Sequence, residues 1–290
     1  MIDTLPTGAA LVAAVVGQPI RQSLSPFLHN AWLRDLKLDG VYAAFGPKDE
    51  HAFERLILSC RGNGIRGLNV TAPFKEQALA LADTVADSAR HCGSANLLTF
   101  DDDGYVHAQS TDGYGLIRAF DLQAPGCDLS AGPVVIMGAG GASRAAVAAM
   151  LDAGAPEVRI VNRTIARAEE LVFAFQGLAS QGVRQTVTAF ELGDVARAFG
   201  GAIAVVNAAS GGPLPLFDAL PDHATIMDMT YRPLTTNWLK AAQARGLKTV
   251  DGLGMLIEQA RPSFEAFYGV TPNPAFDIRG LALKFLGEAA

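Results

Sequence analysis

The stretch "VVIMGAGGASRA" sets Gly138, Gly140 and Gly141 between an apolar run and a helical pattern. Glycine permits a tight turn and lets backbone approach a pyrophosphate, and the helix start behind it offers unpaired N–H groups to the anion. A glycine-rich turn that binds nothing is the plain alternative; the strand–turn–helix context favours the anion. About 20 residues on, an NAD-binding domain usually carries an acidic side chain for the ribose hydroxyls. Here that place holds Asn162, Arg163 and Thr164, with Arg167 one helical turn later. Two guanidiniums and no carboxylate suit a 2′-phosphate, so the expected cofactor is NADP. Without a ligand, both arginines read as exposed helix residues.

A nicotinamide enzyme acting on an alcohol needs a group that moves the hydroxyl proton as hydride leaves. There is no SxxxYK-like pair, and no histidine falls in an obvious site segment. Lys75 follows the apolar "LNVT" and a turn at Ala72-Pro73-Phe74, where the residue before proline is pushed out of the helical region. Asp112 stands in "QSTDGYG", at a junction between two parts of the chain. A lysine beside a carboxylate in a cleft can exchange a proton and remain positioned. Each also has a local reading: Lys75 caps a surface helix, and Asp112 is a helix N-cap. Ser23 and Ser25, two apart in "GQPIRQSLSPFLHN", are expected in an extended segment that turns both hydroxyls to one side. That suits a carboxylate, and equally a capping turn at a helix start.

These residues need elements to hold them. "LVAAVVG", "GVYAAFG" and "GIRGLNVT" read as strands, and "PFLHNAWLRDLKL" and "DEHAFERLILSCRGNG" as helices, each closed by a glycine-containing segment. "SANLLTFDDDGYVHAQS" reads as a hairpin turning at Asp103-Gly104. The first part is therefore βαβ-like with a mixed sheet. From Pro133, "PVVIMGAG", "EVRIVNRT", "GAIAVVNAAS" and "ATIMDMT" are strands, alternating with the helices "GASRAAVAAMLDAG" and "IARAEELVFAFQG". That alternation predicts a parallel, doubly wound sheet. "GMLIEQARPSFEAFYG" and "PAFDIRGLALKFLGEAA" are helical and are expected to return to the first part.

A chain of 290 residues suggests about two domains. Half its residues are hydrophobic and its net charge is −6 without a basic block, which argues against a nucleic-acid partner. The apolar run near the N-terminus lacks a basic flank and is too short to span a bilayer, so it reads as a strand. Cys60, Cys92 and Cys127 are odd in number and widely spaced, with no CxxC, so a reducing cytoplasm is the expected compartment. His29, His51, His91, His107 and His223 form no HExxH and do not cluster with cysteines, so no metal is expected.

The segments "QSLSPFLHN", "LNVTAPFK", "STDGYG", "GAGGASRA", "NRTIARAEE" and "DGLGMLIEQA" resemble, in order and approximate spacing, the shikimate dehydrogenases, nearly end to end. That family interconverts 3-dehydroshikimate and shikimate with NADP, or sometimes NAD, in aromatic biosynthesis. The resemblance implies a substrate-binding catalytic domain over 1–112, a Rossmann-type NADP domain over 113–252, and C-terminal helices over 253–290 packing on the first domain. Ser23 and Ser25 would hold the substrate carboxylate, with Thr71, Asn96, Tyr231 and Gln259 bonding elsewhere on the substrate. Lys75 would be the acid/base and Asp112 the partner that binds the reacting hydroxyl. Gly138, Ala139, Gly140, Gly141 and Ala142 would cradle the pyrophosphate, and Asn162, Arg163, Thr164 and Arg167 the adenosine phosphate. Met229, Gly252 and Met255 match positions lining the nicotinamide, and Asp87 a cofactor-side position. Met229 and Met255 read equally well as core methionines.

Three places depart from the family pattern: Gln22 replaces a histidine, Ser110 an asparagine, and the usual "AVNT" reads Ser94-Ala95-Asn96-Leu97. Altered polar groups at the rim would shift the preferred acid toward quinate or aminoshikimate. A regulatory module that binds NADP without turnover is a further alternative, against which stands the intact Lys75 and Asp112. A homodimer is compatible with the sequence.

Overall fold

The computed structural model describes residues 5–175, 185–209, 211–212 and 214–288. The ends of three expected elements, Gln176-Gly177 of one helix, Ser210 beyond a strand and Ala289-Ala290 of the last helix, lie outside the described residues. The chain divides into two compact units, Met1–Thr111 joined by Gln259–Ala290, and Asp112–Glu258.

The first unit runs β1 (Leu11–Val16), α1 (Ser25–Asp35), β2 (Gly40–Phe45), α2 (Glu50–Cys60), β3 (Ile65–Val70), α3 (Lys75–Ala80), β4 (Thr84–Val85), α4 (Asp87–Cys92), β5 (Leu97–Phe100) and β6 (Val106–Gln109). Its sheet has the order β2-β1-β3-β5-β6-β4. β1 is parallel to both β2 and β3, whereas β5 is antiparallel to β3 and to β6, giving the expected mixed sheet. β5 and β6 form the hairpin, with Gly104 at φ +83 in its turn. The end of α1 differs from the expected glycine closure. The turn is made by Lys37, at φ +53, and Gly40 instead opens β2, where an added Cβ would lie 2.8 Å from Leu33 Cδ2.

In the second unit follow α5 (Asp112–Gln123), β7 (Val134–Met137), α6 (Gly141–Asp152), β8 (Glu157–Asn162), α7 (Ile165–Phe175), β9 (Thr186–Glu191), α8 (Val195–Phe199), β10 (Ala204–Asn207), β11 (Thr225–Asp228), α9 (Asn237–Ala244) and β12 (Lys248–Asp251). The strand order is β12-β11-β10-β7-β8-β9, with every pairing parallel. Counted from β7, that is 3-2-1-4-5-6, the doubly wound order with its switch point between β7 and β10. β7, β10 and β11 are buried at every residue, as strands covered on both faces must be.

α10 (Gly252–Tyr268) carries the chain back into the first unit, and α11 (Ile278–Leu286) ends it. There Ser263 Oγ accepts from Asn69 Nδ2 at 2.8 Å, and Tyr268 Oη donates to Val41 O at 3.1 Å. Phe264 and Phe267 close an aromatic cluster in which His29 stacks on Tyr42 at 3.9 Å. Burial pulls the His29 imidazole down to about 3, so it packs there as a neutral aromatic ring.

Gly67 on β3 has no room for a side chain, since an added Cβ would overlap Leu98 O and the Phe267 ring. Gly67→Ala is expected to lower the unfolding free energy by about 1–3 kcal/mol, read as a fall in the urea midpoint. An unchanged midpoint would mean that α10 shifts freely on the sheet. A second prediction concerns acid. Hydrogen bonds from Arg61 Nη1 (2.6 Å) and Val106 N (2.7 Å) hold the half-exposed Asp83 carboxyl below its usual 3.8. A depressed carboxyl stabilises the fold above its unfolded value, and that contribution is lost as pH falls through the folded value. The Tm gap between the protein and Asp83→Asn should therefore hold steady from neutral pH down to about pH 5 and close below about pH 4.

Candidate active site

The first unit gathers polar side chains where β3 ends and β5 begins. Thr71 N donates to Val16 O at 2.8 Å, and Phe74 N to Thr71 O at 3.1 Å, so the chain turns sharply behind β3. Gly17 makes room for this turn, because a Cβ there would overlap Thr71 Cγ2. Phe74, 2% exposed, stacks on Phe53 at 4.7 Å and anchors the start of α3. Half-buried Lys75 is the first residue of that helix. A cation at a helix N-terminus opposes the backbone dipole, so the capping reading has no physical support. Lys75 O accepts from Ala95 N at 2.9 Å, which sets the lysine beside Asn96.

Asn96 is held on all sides. Its carbonyl accepts from Val70 N and Asn69 Nδ2, its Nδ2 donates to Thr111 Oγ1 at 3.0 Å, and its Oδ1 accepts from Thr111 N at 2.8 Å. Thr111, only 5% exposed, escaped the sequence reading, although it stands beside Asp112 in the same motif. Asp112, also 5% exposed, is the first residue inside α5 rather than its N-cap, where the helix dipole favours its charge.

Ser23 and Ser25 do not lie in the expected extended segment. Leu24 between them has helical angles, φ −84 and ψ −13, because its side chain is buried at the entry to α1. Ser25 N donates to Ser23 Oγ at 3.3 Å, the capping turn that the spacing also allowed. Gln259 sits on the first unit's part of α10, and its Oε1 is buried with no hydrogen-bond partner among the described residues. Leu97 is 1% exposed in the core of β5, so the expectation that it alters a polar rim is not met. Gln22 and Ser110 remain outside the core.

In the second unit a cavity of about 420 Å³ lies outside the carboxyl ends of β7, β8 and β10. Gly138 takes φ +108 there, and a Cβ on it would press on Ala209 and Ser143 at 3.1 Å. Gly140 and Gly141 have nothing within 4 Å of an added Cβ, so their bare backbone faces open space. Gly140 N donates to Ser143 Oγ at 3.3 Å at the start of α6. Asn162, Arg163 and Arg167 line the cavity, and neither arginine makes an ion pair among the described residues. Asn162 Nδ2 donates to Thr164 O at 2.9 Å and shapes the turn that presents the arginines. Leu192, Leu214, Ala208 and Ala209 also line the cavity and were not singled out in the sequence, where nothing distinguishes them from core residues.

Met229 and Met255 are half-buried, unlike Met227, which is fully enclosed in β11. Gly252 packs so tightly on the Met229–Thr230 backbone that a Cβ would overlap Met229 O. Tyr231 is half-buried in the same segment. Asp87 is exposed on α4 of the first unit, 3.5 Å from Arg90 Nε, and is not among the cavity-lining residues. Among the described residues, no three His, Cys, Asp or Glu side chains group as metal ligands, and no helix is long and apolar enough to cross a membrane.

Fold and site place the chain in the class of two-unit α/β dinucleotide-binding proteins. Residues 15–98 match the family described as the shikimate dehydrogenase substrate binding domain, and residues 122–196 the family described as shikimate / quinate 5-dehydrogenase. The chain is 50% identical over 289 residues to the NADP(+) shikimate dehydrogenase of Caulobacter vibrioides, covering 97% of this chain and 98% of that one. Two solved structures superpose over nearly the whole length. A Thermus thermophilus shikimate 5-dehydrogenase with NADP(H) and shikimate gives a TM-score of 0.81 at 32% identity, covering 95% of this chain and 99% of that one. A Corynebacterium glutamicum quinate dehydrogenase with NAD gives 0.84 at 27%, covering 96% and 99%. The chain belongs to the shikimate dehydrogenase family.

Proposed function

We propose that the protein is an NADP-dependent dehydrogenase interconverting 3-dehydroshikimate and shikimate, in aromatic amino-acid biosynthesis. The observation that carries this reading is the grouping of Thr71, Lys75 and Asn96 at one end of the first sheet, tied through Ala95 N and Lys75 O. Lys75 gives and takes the hydroxyl proton, and Asp112, at the start of α5, bonds the reacting oxygen and orients the lysine. Thr71, Asn96, Tyr231 and Gln259 hold the remaining hydroxyls. The buried, unbonded Oε1 of Gln259 is an acceptor that a substrate hydroxyl would satisfy. Ser23 and Ser25 receive the carboxylate, Ser23 keeping its lone pair on Ser25 N and donating its proton outward.

The second unit fits NADP. The open backbone at Gly140 and Gly141 admits a pyrophosphate, with Ala139 and Ala142 beside it, and Arg163 and Arg167 are placed for a 2′-phosphate, with Asn162 and Thr164 shaping their turn. Met229, Gly252 and Met255 are assigned to the nicotinamide side, and Asp87 to a peripheral contact. When bound, the nicotinamide supplies the hydride acceptor. A cytoplasmic location and a homodimer complete the reading; Cys60 and Cys92 are buried free thiols, compatible with a reducing compartment.

The test is initial-rate reduction of NADP with shikimate, beside quinate and beside NAD. Fast turnover with shikimate and NADP is expected. Turnover favouring quinate would move the substrate and point to Gln22 and Ser110, while bound but unoxidised NADPH in the presence of 3-dehydroshikimate would leave a sensor.

A further inference from the structure

One carboxylate in the second unit has no part in the chemistry assigned above. Asp228 ends β11 at 2% exposure. Its Oδ1 accepts from Asn207 Nδ2 and from Thr230 N, both at 3.0 Å, and its Oδ2 from Thr236 Oγ1 at 2.8 Å. Among the described residues no cation pairs with it. A buried, unpaired carboxylate is costly, and it persists only where several hydrogen bonds converge on it.

What these bonds join is the rim of the ligand crevice. Asn207 ends the neighbouring β10, and its Oδ1 accepts from Ala209 N at 3.1 Å. Ala209 in turn packs on Gly138 of the glycine loop and lines the cavity. Thr236 is the N-cap of α9, accepting from Leu239 N at 3.2 Å. A continuous chain of contacts therefore runs from the glycine loop through Asn207 and Asp228 to the segment 229–236. In this strand order a dinucleotide lies across the carboxyl ends of the strands. With its phosphate-bearing end at Arg163 just after β8, its other end points past β7 toward β10 and β11, where residues 229–231 follow Asp228.

We infer that Asp228 is a positioning residue for hydride transfer: it fixes residues 229–231 against the cofactor's reactive end and leaves the adenosine end untouched. The inference rests on the dehydrogenase reading. Asp228→Ala should lower kcat with shikimate and NADP by about 10–10²-fold, the usual effect of a misplacement near 1 Å. Inhibition by adenosine 2′,5′-bisphosphate, which probes only the arginine end, should stay within about twofold, because phosphate contacts there act independently. Hydrogen exchange should show lost protection at the Thr230 amide and none at β7. Because Asp228→Ala could unfold, Thr236→Val provides a second test: it removes the bond to Asp228 together with the α9 cap and should lower kcat, and Thr236→Ser, which keeps both bonds, should restore it. Wild-type turnover with unaltered kcat in folded Asp228→Ala overturns the inference alone. So does a kcat loss matched by equal weakening of the bisphosphate, which would mean general collapse of the unit. Absence of wild-type turnover overturns the dehydrogenase reading and this inference with it.

Discussion

Lys75→Ala will lower kcat for shikimate oxidation by about 10²–10⁴-fold, the usual contribution of a positioned acid/base. KM for shikimate will move by less than about tenfold, because an interaction realised only in the transition state leaves ground-state binding almost intact. The geometry supports this separation. Lys75 is fixed through Phe74 and Ala95, whereas Asn96 is locked independently by Thr111 and Asn69. Removing the lysine side chain therefore leaves the substrate-holding groups in place. Lys75→Arg is the sharper variant: it keeps the positive charge but does not deprotonate at working pH. If that variant keeps most of the rate, Lys75 acts only as a charge, and the proton-transfer role falls.

The second large effect is on cofactor choice. Arg163 and Arg167 are exposed, line the cavity and have no competing ion pair among the described residues. Each charge-assisted contact with a 2′-phosphate is worth about 1.5–3 kcal/mol before solvent screening, and about tenfold in binding after it. Replacing both by alanine will raise KM for NADP by about 10²-fold and leave KM for NAD within about threefold, since NAD has no phosphate for them to hold. The NADP preference of the unmodified protein will also decline with added salt, as exposed charge pairs do. An equal rise in KM for both cofactors would mean that the arginines shape the turn after β8 and do not read the phosphate.

Much of the second unit was legible in the sequence because its signals are local. β7 and β10 are buried on both faces and read as unbroken apolar runs, and the glycine turn between β7 and α6 carries its own backbone requirement at Gly138, φ +108. The edge strands β9 and β12, and the short β4 and α4, carry no such local signal. β9 is only half-buried and shows no clean alternation, and β12 is four residues with charged ends. Their strand character comes from the neighbour they pair with.

The sequence by itself determined the residue types that chemistry requires: a lysine after a strand, a carboxylate at a helix start, a glycine loop, and arginines where an acidic residue would select NAD. Their chemical groups and spacing are properties of the chain alone. Only the tertiary structure decided which groups are held and by what. It turned Ser23 and Ser25 from an extended pair into a capping turn, because Leu24 had to be buried. It withdrew Leu97 into the core and brought forward Thr111 and Asp228, whose roles depend on partners 15 and 21 residues away. Hydrogen bonds over such separations leave no periodic trace in a sequence; they exist only once strand ends have been brought together by burial of the sheets beneath them.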